Sequence, residues 1–331
     1  MIAAPAGLHI RGFDVDRDIP DVVRVINAEH EADDVDERDS EEEWRAFTAH
    51  ASEQLDPSRD LAVGEVDGRI VAVAGQDWVD TRDGAFREYR LWGAVEPEFR
   101  RRGIGSAVLR DNERRAASLA ATHDTERVRT FGSWAADGRP GSRLLASNGY
   151  EVVRWFFDMV RPDLEDLPEP PPMPDGLELR PVTPELHEAV WRANREAFRD
   201  HWGGADESEA AMRRFFDTPG RDPSLWLVAF DGDEVAAGVF NGIYPEQDAA
   251  LGIRRGWLDS VFTRRPWRRR GLARALILRS LTLLKERDMT SAALGVDADN
   301  PSGALGLYES AGFSLHDRFA AWRKPMEEAA S

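Results

Sequence analysis

The sequence predicts an α/β protein, α+β in detail because its sheet is mixed, made of two tandem copies of one unit. Three observations predict it. A basic turn of the form Arg-x-x-Gly-x-(Gly/Ala) occurs twice, at Arg100–Gly105 and Arg268–Ala273, each time between an apolar strand and a helix. An Asp-Gly pair precedes each turn, at Asp67–Gly68 and Asp231–Gly232, flanked by hairpin-like apolar arms. Between the copies lies PDLEDLPEPPPMPDG, residues 162–176, in which six of fifteen residues are proline. Such a segment is stiff, extended and without secondary structure. The chain therefore reads as an N-terminal domain over 1–161, a linker over 162–176 and a C-terminal domain over 177–331.

In the first copy, Leu8–Arg11 alternates as a strand, and Ile19, Val22, Val23, Val25 and Ile26 share a helical face. The stretch Glu29–Glu43 is dense in carboxylates and suits a solvated loop and helix face, or an amine-attracting rim. Ser40 and Glu43 have capping-box spacing for a helix through Trp44, Phe47 and Ala51. Leu61–Val66 and Arg69–Ala74 form the hairpin arms, and a strand over Arg87–Val95 feeds the turn and a helix through Val108 and Leu109. Arg127–Phe131 reads as a strand, Arg143–Asn148 as a helix end stopped by Gly149, and Tyr150–Val160 as a strand. The second copy repeats this order. Leu177–Arg180 is a strand, Pro184–Arg199 and Ser208–Phe216 are helices, and Leu225–Phe230 and Val235–Phe240 are hairpin arms. Trp257–Phe262 is the strand before the second turn, Ser291–Val296 the next strand, Pro301–Ala311 a helix, and Phe313 opens a final strand. A repeat of this length marks an internal duplication.

Composition narrows the function. At 331 residues, with 42% hydrophobic and 31% charged residues, the chain fits two soluble globular domains. It has no apolar run of about 18 residues and no signal-peptide pattern at its N-terminus. The absence of Cys removes disulfides, thiolate metal sites and a cysteine nucleophile, and it suits a cytoplasmic protein. The seven His have no metal-binding spacing. A net charge of −18 argues against nucleic acid as a partner. It leaves two readings, a solubility feature or attraction of a cationic substrate such as an amine. A monomer or a homodimer is expected, with no membrane partner.

The turns carry the chemistry. A strand that breaks at a basic, Gly-containing turn and restarts as a helix offers unpaired N–H groups and partial positive charge to an anion. Gly271 lets a bulky anion approach the backbone, and Ala273 keeps the next position small. A mononucleotide P-loop requires GxxxxGK(S/T), which neither copy has. A dinucleotide fingerprint requires three glycines, whereas Gly103–Ile104–Gly105 supplies two and the second copy offers Gly271 and Ala273. The remaining candidate is a pyrophosphate held by successive amides, with flanking arginines for charge.

Here the chain resembles a known family. The turn between strand and helix is similar to the cofactor motif of the GNAT acetyltransferase superfamily. Downstream, Asn300, Ala304, Tyr308 and Gly312–Phe313 match that family's N-x-x-A-x-x-x-Y-x-x-x-G-F pattern. The order of elements matches along both halves, and the layout resembles double-domain members of the superfamily, the mycothiol synthases among them. The resemblance implies two GNAT-like acyl-CoA N-acyltransferase domains and acetyl-CoA as cofactor. In the second copy it implies a pyrophosphate seat at Arg268, Arg269, Arg270, Gly271, Leu272 and Ala273, with Asn300 nearby and a pantetheine arm along Val261 and Thr263. In the first copy it implies Val95, Arg100, Arg101, Arg102, Gly103, Ile104, Gly105 and Ser106.

Transfer of an acetyl group from a thioester to an amine requires removal of the amine proton, stabilisation of an oxyanion and protonation of the leaving thiolate. Without Cys, direct attack in a ternary complex is favoured over an acyl-enzyme. Tyr308 occupies the family's tyrosine position, which implies the acid; its alternative is a packed aromatic. Asp259 shares a strand face with Trp257, Val261 and Thr263, and it is a base, an amine anchor or a structural hydrogen-bonding group. The family often has Glu where this chain has Trp257, and Glu196, Asp200 and His201 are alternative bases. Trp202, Phe198, Phe262 and Trp322 line an acceptor pocket or pack in the core. Aligned on Gly149 and Gly312, Leu145 stands opposite Tyr308 and Asp137 opposite Asn300. The C-terminal copy is therefore expected to be catalytic and the N-terminal copy non-catalytic. The function read is an acetyl-CoA-dependent N-acetyltransferase acting on a small-molecule amine. The alternatives are a mycothiol synthase acting on an aminoglycoside-like pseudodisaccharide, and a non-catalytic acetyl-CoA-binding regulatory module.

Overall fold

Local signals set the first elements. In a computed structural model that describes residues 5, 7–299 and 303–326, Asp67 and Gly68 take φ of 51° and 78°. That left-handed pair matches the twist of two antiparallel arms, here β2 (Leu61–Val66) and β3 (Arg69–Asp80). β1 (Leu8–Gly12) pairs with β2. α1 (Ile19–Ala32) buries Ile19, Val22, Val25 and Ile26. α2 (Glu41–Ala49) opens on the capping box, with Ser40 accepting from the Glu43 N–H and Glu43 accepting from the Ser40 N–H. A short α3 (Pro57–Asp60) precedes β2. β4 (Phe86–Val95), α4 (Ile104–Ala120), β5 (Val128–Ala136), α5 (Pro140–Ser147) and β6 (Glu151–Arg161) complete the first half.

The second half runs β7 (Leu177–Arg180), α6 (His187–Ala197), α7 (Glu209–Asp217), β8 (Leu227–Asp231), β9 (Glu234–Ile243), α8 (Pro245–Leu251), β10 (Arg255–Thr263), α9 (Leu272–Glu286), β11 (Ser291–Asp297), α10 (Ala304–Ser310) and β12 (Ser314–Pro325). Among the described residues, no helix is long and apolar enough to cross a membrane.

Two compact units result, and their limits differ from the halves read along the sequence. One contains residues 1–154, 202–219 and 319–331; the other contains 155–201 and 220–318. In the first unit the strand order is β1-β2-β3-β4-β5-β12. Here β12 lies antiparallel to β5, from Phe319↔Ala136 to Pro325↔Thr130. In the second unit the order is β6-β11-β10-β9-β8-β7, with β6 antiparallel to β11 from Arg161↔Ala292 to Phe156↔Asp297. Each unit is thus finished by a strand from the other half of the sequence. The first unit also takes α7 and the loop before it, where Asp206 accepts from Ser52 (3.0 Å) and from Arg214 (2.7 Å), and Asp217 meets His50 (2.7 Å).

The core of the second unit follows from α9. Its near-continuous apolar sequence buries Leu272, Ala275, Leu276, Ile277, Leu278, Leu281 and Leu284. Gly256 permits the close approach, since a Cβ there would lie 2.4 Å from Leu284. The proline-rich segment has no regular structure, yet it is not a bare spacer. Leu164 is buried in this core, with Leu167 and Met173 packed against it. Lys285 donates to the Glu165 carbonyl (2.7 Å) and Arg279 to that of Pro171 (2.6 Å).

A fragment of residues 1–161 lacks both β12 and α7. We expect it to precipitate, or to unfold at lower urea than the first unit does in the full chain. A fragment with the full chain's urea midpoint would refute the exchange.

Candidate active site

The two basic turns have the same backbone. Arg101 and Gly103 have φ of 63° and 83°; Arg269 and Gly271 have 62° and 80°. A non-glycine residue in that region costs about 1 kcal/mol or more, so both copies hold strain at the same step. Gly103 and Gly271 are the N-cap residues of α4 and α9, and neither helix has a side-chain cap. The amides of each first turn are thus left for an anion.

The first arginine of each turn shapes it. Arg268 donates from Nε to the Thr263 carbonyl (3.0 Å) and from Nη2 to that of Ala197 (3.1 Å). Arg100 donates from Nε to the Val95 carbonyl (3.2 Å). The expectation of Arg268 as a charge flanking a ligand is modified accordingly, because its side chain ties strand end to helix end. Arg269 and Arg270 are exposed, and Arg270 reaches the Asp175 carbonyl at 3.4 Å. In the first turn Arg101 is exposed, Arg102 donates to the Glu98 carbonyl (2.9 Å) and Ile104 is buried in the core. Gly105 and Ser106 are half-buried.

Strand pairing opens a groove above the second turn. β10 pairs in parallel with β11 only from Arg255 to Trp257, but stays paired with β9 to Thr263. The Arg264 N–H donates to the Ala236 carbonyl (3.0 Å). By antiparallel alternation, the N–H and C=O of Val261 and Thr263 then point away from β9. The Arg268 bond to the Thr263 carbonyl agrees with that parity. The register shifts between Leu258 and Ser260, so Asp259 is the extra residue of a bulge. In the first unit, β4 leaves β5 after Arg90, while its register with β3 runs unbroken from Arg87 to Val95.

Tyr308, on α10, is buried against Phe313 with ring centroids 6.2 Å apart. Burial pushes its hydroxyl pKa up to about 12, and the hydroxyl has no hydrogen-bond partner among the described residues. Leu145 is buried at the corresponding place on α5.

Asp259 is exposed on β10, though neighbouring protein atoms partly desolvate its carboxylate. Desolvation raises its pKa, against the Tyr244 hydrogen bond and the Arg221 charge, which lower it. The Tyr244 hydroxyl donates to Oδ2 at 2.6 Å. Gly242 leaves room for the pair, since a Cβ there would lie 2.7 Å from that oxygen and 2.8 Å from the Tyr244 ring. Sequence reasoning missed Tyr244, which caps α8, a helix too short for a periodic signal.

The other candidates serve elsewhere. Glu196 pairs with Arg264 (2.8 Å). Asp200 pairs with Arg265 and Arg268, and the Arg265 hydrogen bond holds its pKa down at about 2. His201 packs on Phe198, their ring centroids 4.4 Å apart. Phe262 is core, edge-on to Phe240. Trp202 and Trp322 belong to the first unit, where Trp202 stacks under Arg323 and Trp322 packs on the core. Asn300 lies outside the described residues.

An uncapped helix end below a splayed parallel strand pair, with a tyrosine on the next helix whose hydroxyl has no partner among the described residues, suits an anionic ligand with an extended, amide-bearing arm. Comparison with known proteins narrows this reading. The profile of the acetyltransferase (GNAT) family matches residues 21–129 and 185–313. The chain belongs to that family, carries its domain twice, and is an N-acetyltransferase. It is 30% identical over 304 residues to a mycothiol acetyltransferase of Salinispora arenicola, covering 90% of each chain. It is 28% identical to that of Salinispora tropica, again over 90% of each. A solved GCN5-related N-acetyltransferase from Sphaerobacter thermophilus superposes with a TM-score of 0.70 at 27% identity, over 98% of this chain and 97% of that one. A tandem GNAT protein from the clavulanic acid biosynthesis pathway shares the fold, with a TM-score of 0.69 at 17% identity over 98% and 100%.

Tyr244→Phe removes the hydrogen bond that favours ionised Asp259. The Asp259 titration midpoint, followed by carboxyl ¹³C NMR, should rise by about one pH unit, the worth of a hydrogen bond to a charged group. An unmoved midpoint would show that the pair has no electrostatic effect.

Proposed function

We propose that the C-terminal domain transfers an acetyl group from acetyl-CoA to the amine of a small molecule, and that the N-terminal domain is non-catalytic. The observation that carries this is Tyr308, whose hydroxyl has no partner among the described residues, on the helix that follows β11, in a unit that also has an open β10 edge and an uncapped α9. Leu145 stands in its place in the first copy.

The residues present fit the cofactor. The first-turn amides of α9 at Leu272, Ala273 and Arg274 suit a pyrophosphate, and Arg269 and Arg270 add exposed positive charge. The outward backbone groups of Val261 and Thr263 suit the amides of a pantetheine arm, as an added strand would pair. When bound, acetyl-CoA supplies the activated acyl group. Tyr308, firmly protonated with a pKa of about 12, is the donor to the departing sulfur. Asp259, its pKa raised by desolvation, is the acceptor for the amine proton, held in place by Tyr244. The net charge of −18 favours the approach of a cationic amine. A second reading is the reaction in the relatives' name, mycothiol acetylation, supported by their similarity over 90% of the chain.

Release of free thiol from acetyl-CoA across an amine panel identifies the acceptor. With that acceptor, Tyr308→Phe should lower kcat by about 10²–10⁴, the range for a general acid, while the KM for acetyl-CoA stays near wild type. Undiminished turnover would remove Tyr308 from the mechanism. Asp259→Asn should lower kcat/KM by about the same factor and abolish its acidic limb; a retained limb would assign the base elsewhere.

A further inference from the structure

The two grooves differ in what meets their open strand edge. In the first unit the Glu96 N–H donates to the Val71 carbonyl (2.9 Å). By alternation, Leu91, Gly93 and Val95 then turn their backbone groups away from β3, toward the side that β5 has left. Two of these groups already face protein. The Val95 N–H faces the carboxylate of Glu29, on the last turn of α1, and helps to lower its pKa against the larger effect of burial. The Leu91 carbonyl accepts from Ser133 Oγ at 2.7 Å. The turn's own arginine is neutralised as well, because Arg100 meets Asp33 at 2.6 Å and Glu29 at 3.3 Å.

In the second unit the turn's arginine is paired as well, Arg268 with Asp200 at 3.2 Å, so the contrast lies at the strand edge. Arg268 Nη2, the counterpart of the Arg100 atom that meets Glu29, contacts the backbone carbonyl of Ala197. So Ala197 stands where Glu29 stands in the first copy. Aligned on Gly149 and Gly312, the apolar Val296 stands where Ser133 stands. The Val261 and Thr263 amides have no protein partner among the described residues.

We propose that Glu29 and Ser133 close the first groove from within, so that the chain takes up one equivalent of CoA, at the second turn alone. Glu29 faces the strand amide that an incoming pantetheine carbonyl would need, and Ala197 at the corresponding place in the second copy has no carboxylate to do so. The shared turn geometry is thus retained without its binding function. This inference rests on CoA binding at such turns, and it decides between them.

Isothermal titration of the full chain with CoA at pH 8, above the midpoint of about 7 to which burial raises Glu29, tests it. One equivalent is expected for wild type, and two for the doubly substituted Glu29→Ala, Ser133→Ala variant. Hydrogen exchange gives a second readout that needs no variant. CoA should slow exchange at the first turn of α9 and leave that of α4 unchanged. Two equivalents in wild type, protection at α4, or one equivalent in a folded double variant would each overturn the assignment. Zero equivalents in wild type would overturn it together with the cofactor reading.

Discussion

Parallel strands that part before they end leave backbone amides and carbonyls that something else must satisfy. An orphaned buried group of this kind costs about 1–3 kcal/mol, so each groove must hold protein, water or ligand. The first unit answers with a carboxylate and a hydroxyl of its own. The second leaves the Val261 and Thr263 amides open and secures only the strand's last carbonyl, through Arg268. Everything specific to the second site is arranged around that choice. The turn positions the α9 amides at the foot of the groove, the bulge at Asp259 lies along the groove-forming strand, and Tyr308 comes from the helix after β11.

The acid–base groups are set apart by environment rather than by type. Tyr308 is packed among apolar side chains with no hydrogen-bond partner among the described residues, so its pKa rises to about 12. Asp259 is desolvated but held by a phenol and facing a guanidinium, so opposing effects act on its carboxylate. A strand glycine, Gly242, decides whether that phenol and carboxylate can meet at all.

Much of this was legible in the sequence because it is local. The Asp67–Gly68 turn, the Ser40–Glu43 box, the αL glycines before α4 and α9, and the Leu145/Tyr308 contrast depend on residues a few positions apart. Other features depend on distant partners. Arg268 looked like a ligand charge because nothing in RRPWRRRG reveals that Nε reaches back to Thr263. Glu29 looked like one carboxylate in a solvated acidic run, though it meets the turn's Arg100, 71 residues on. Tyr244 belongs to a helix too short to be periodic. The linker's prolines masked Leu164, Leu167 and Met173, which anchor it to the second unit's core.

The placement of β12 has a consequence for synthesis. The strand that covers β5 is drawn from Phe319–Pro325, beyond nearly the whole of the second repeat. The first unit therefore cannot be completed until the second repeat has been made. Until then β5 presents an unpaired edge, the kind of surface that invites pairing between chains. For this protein, N-terminal does not mean first to fold.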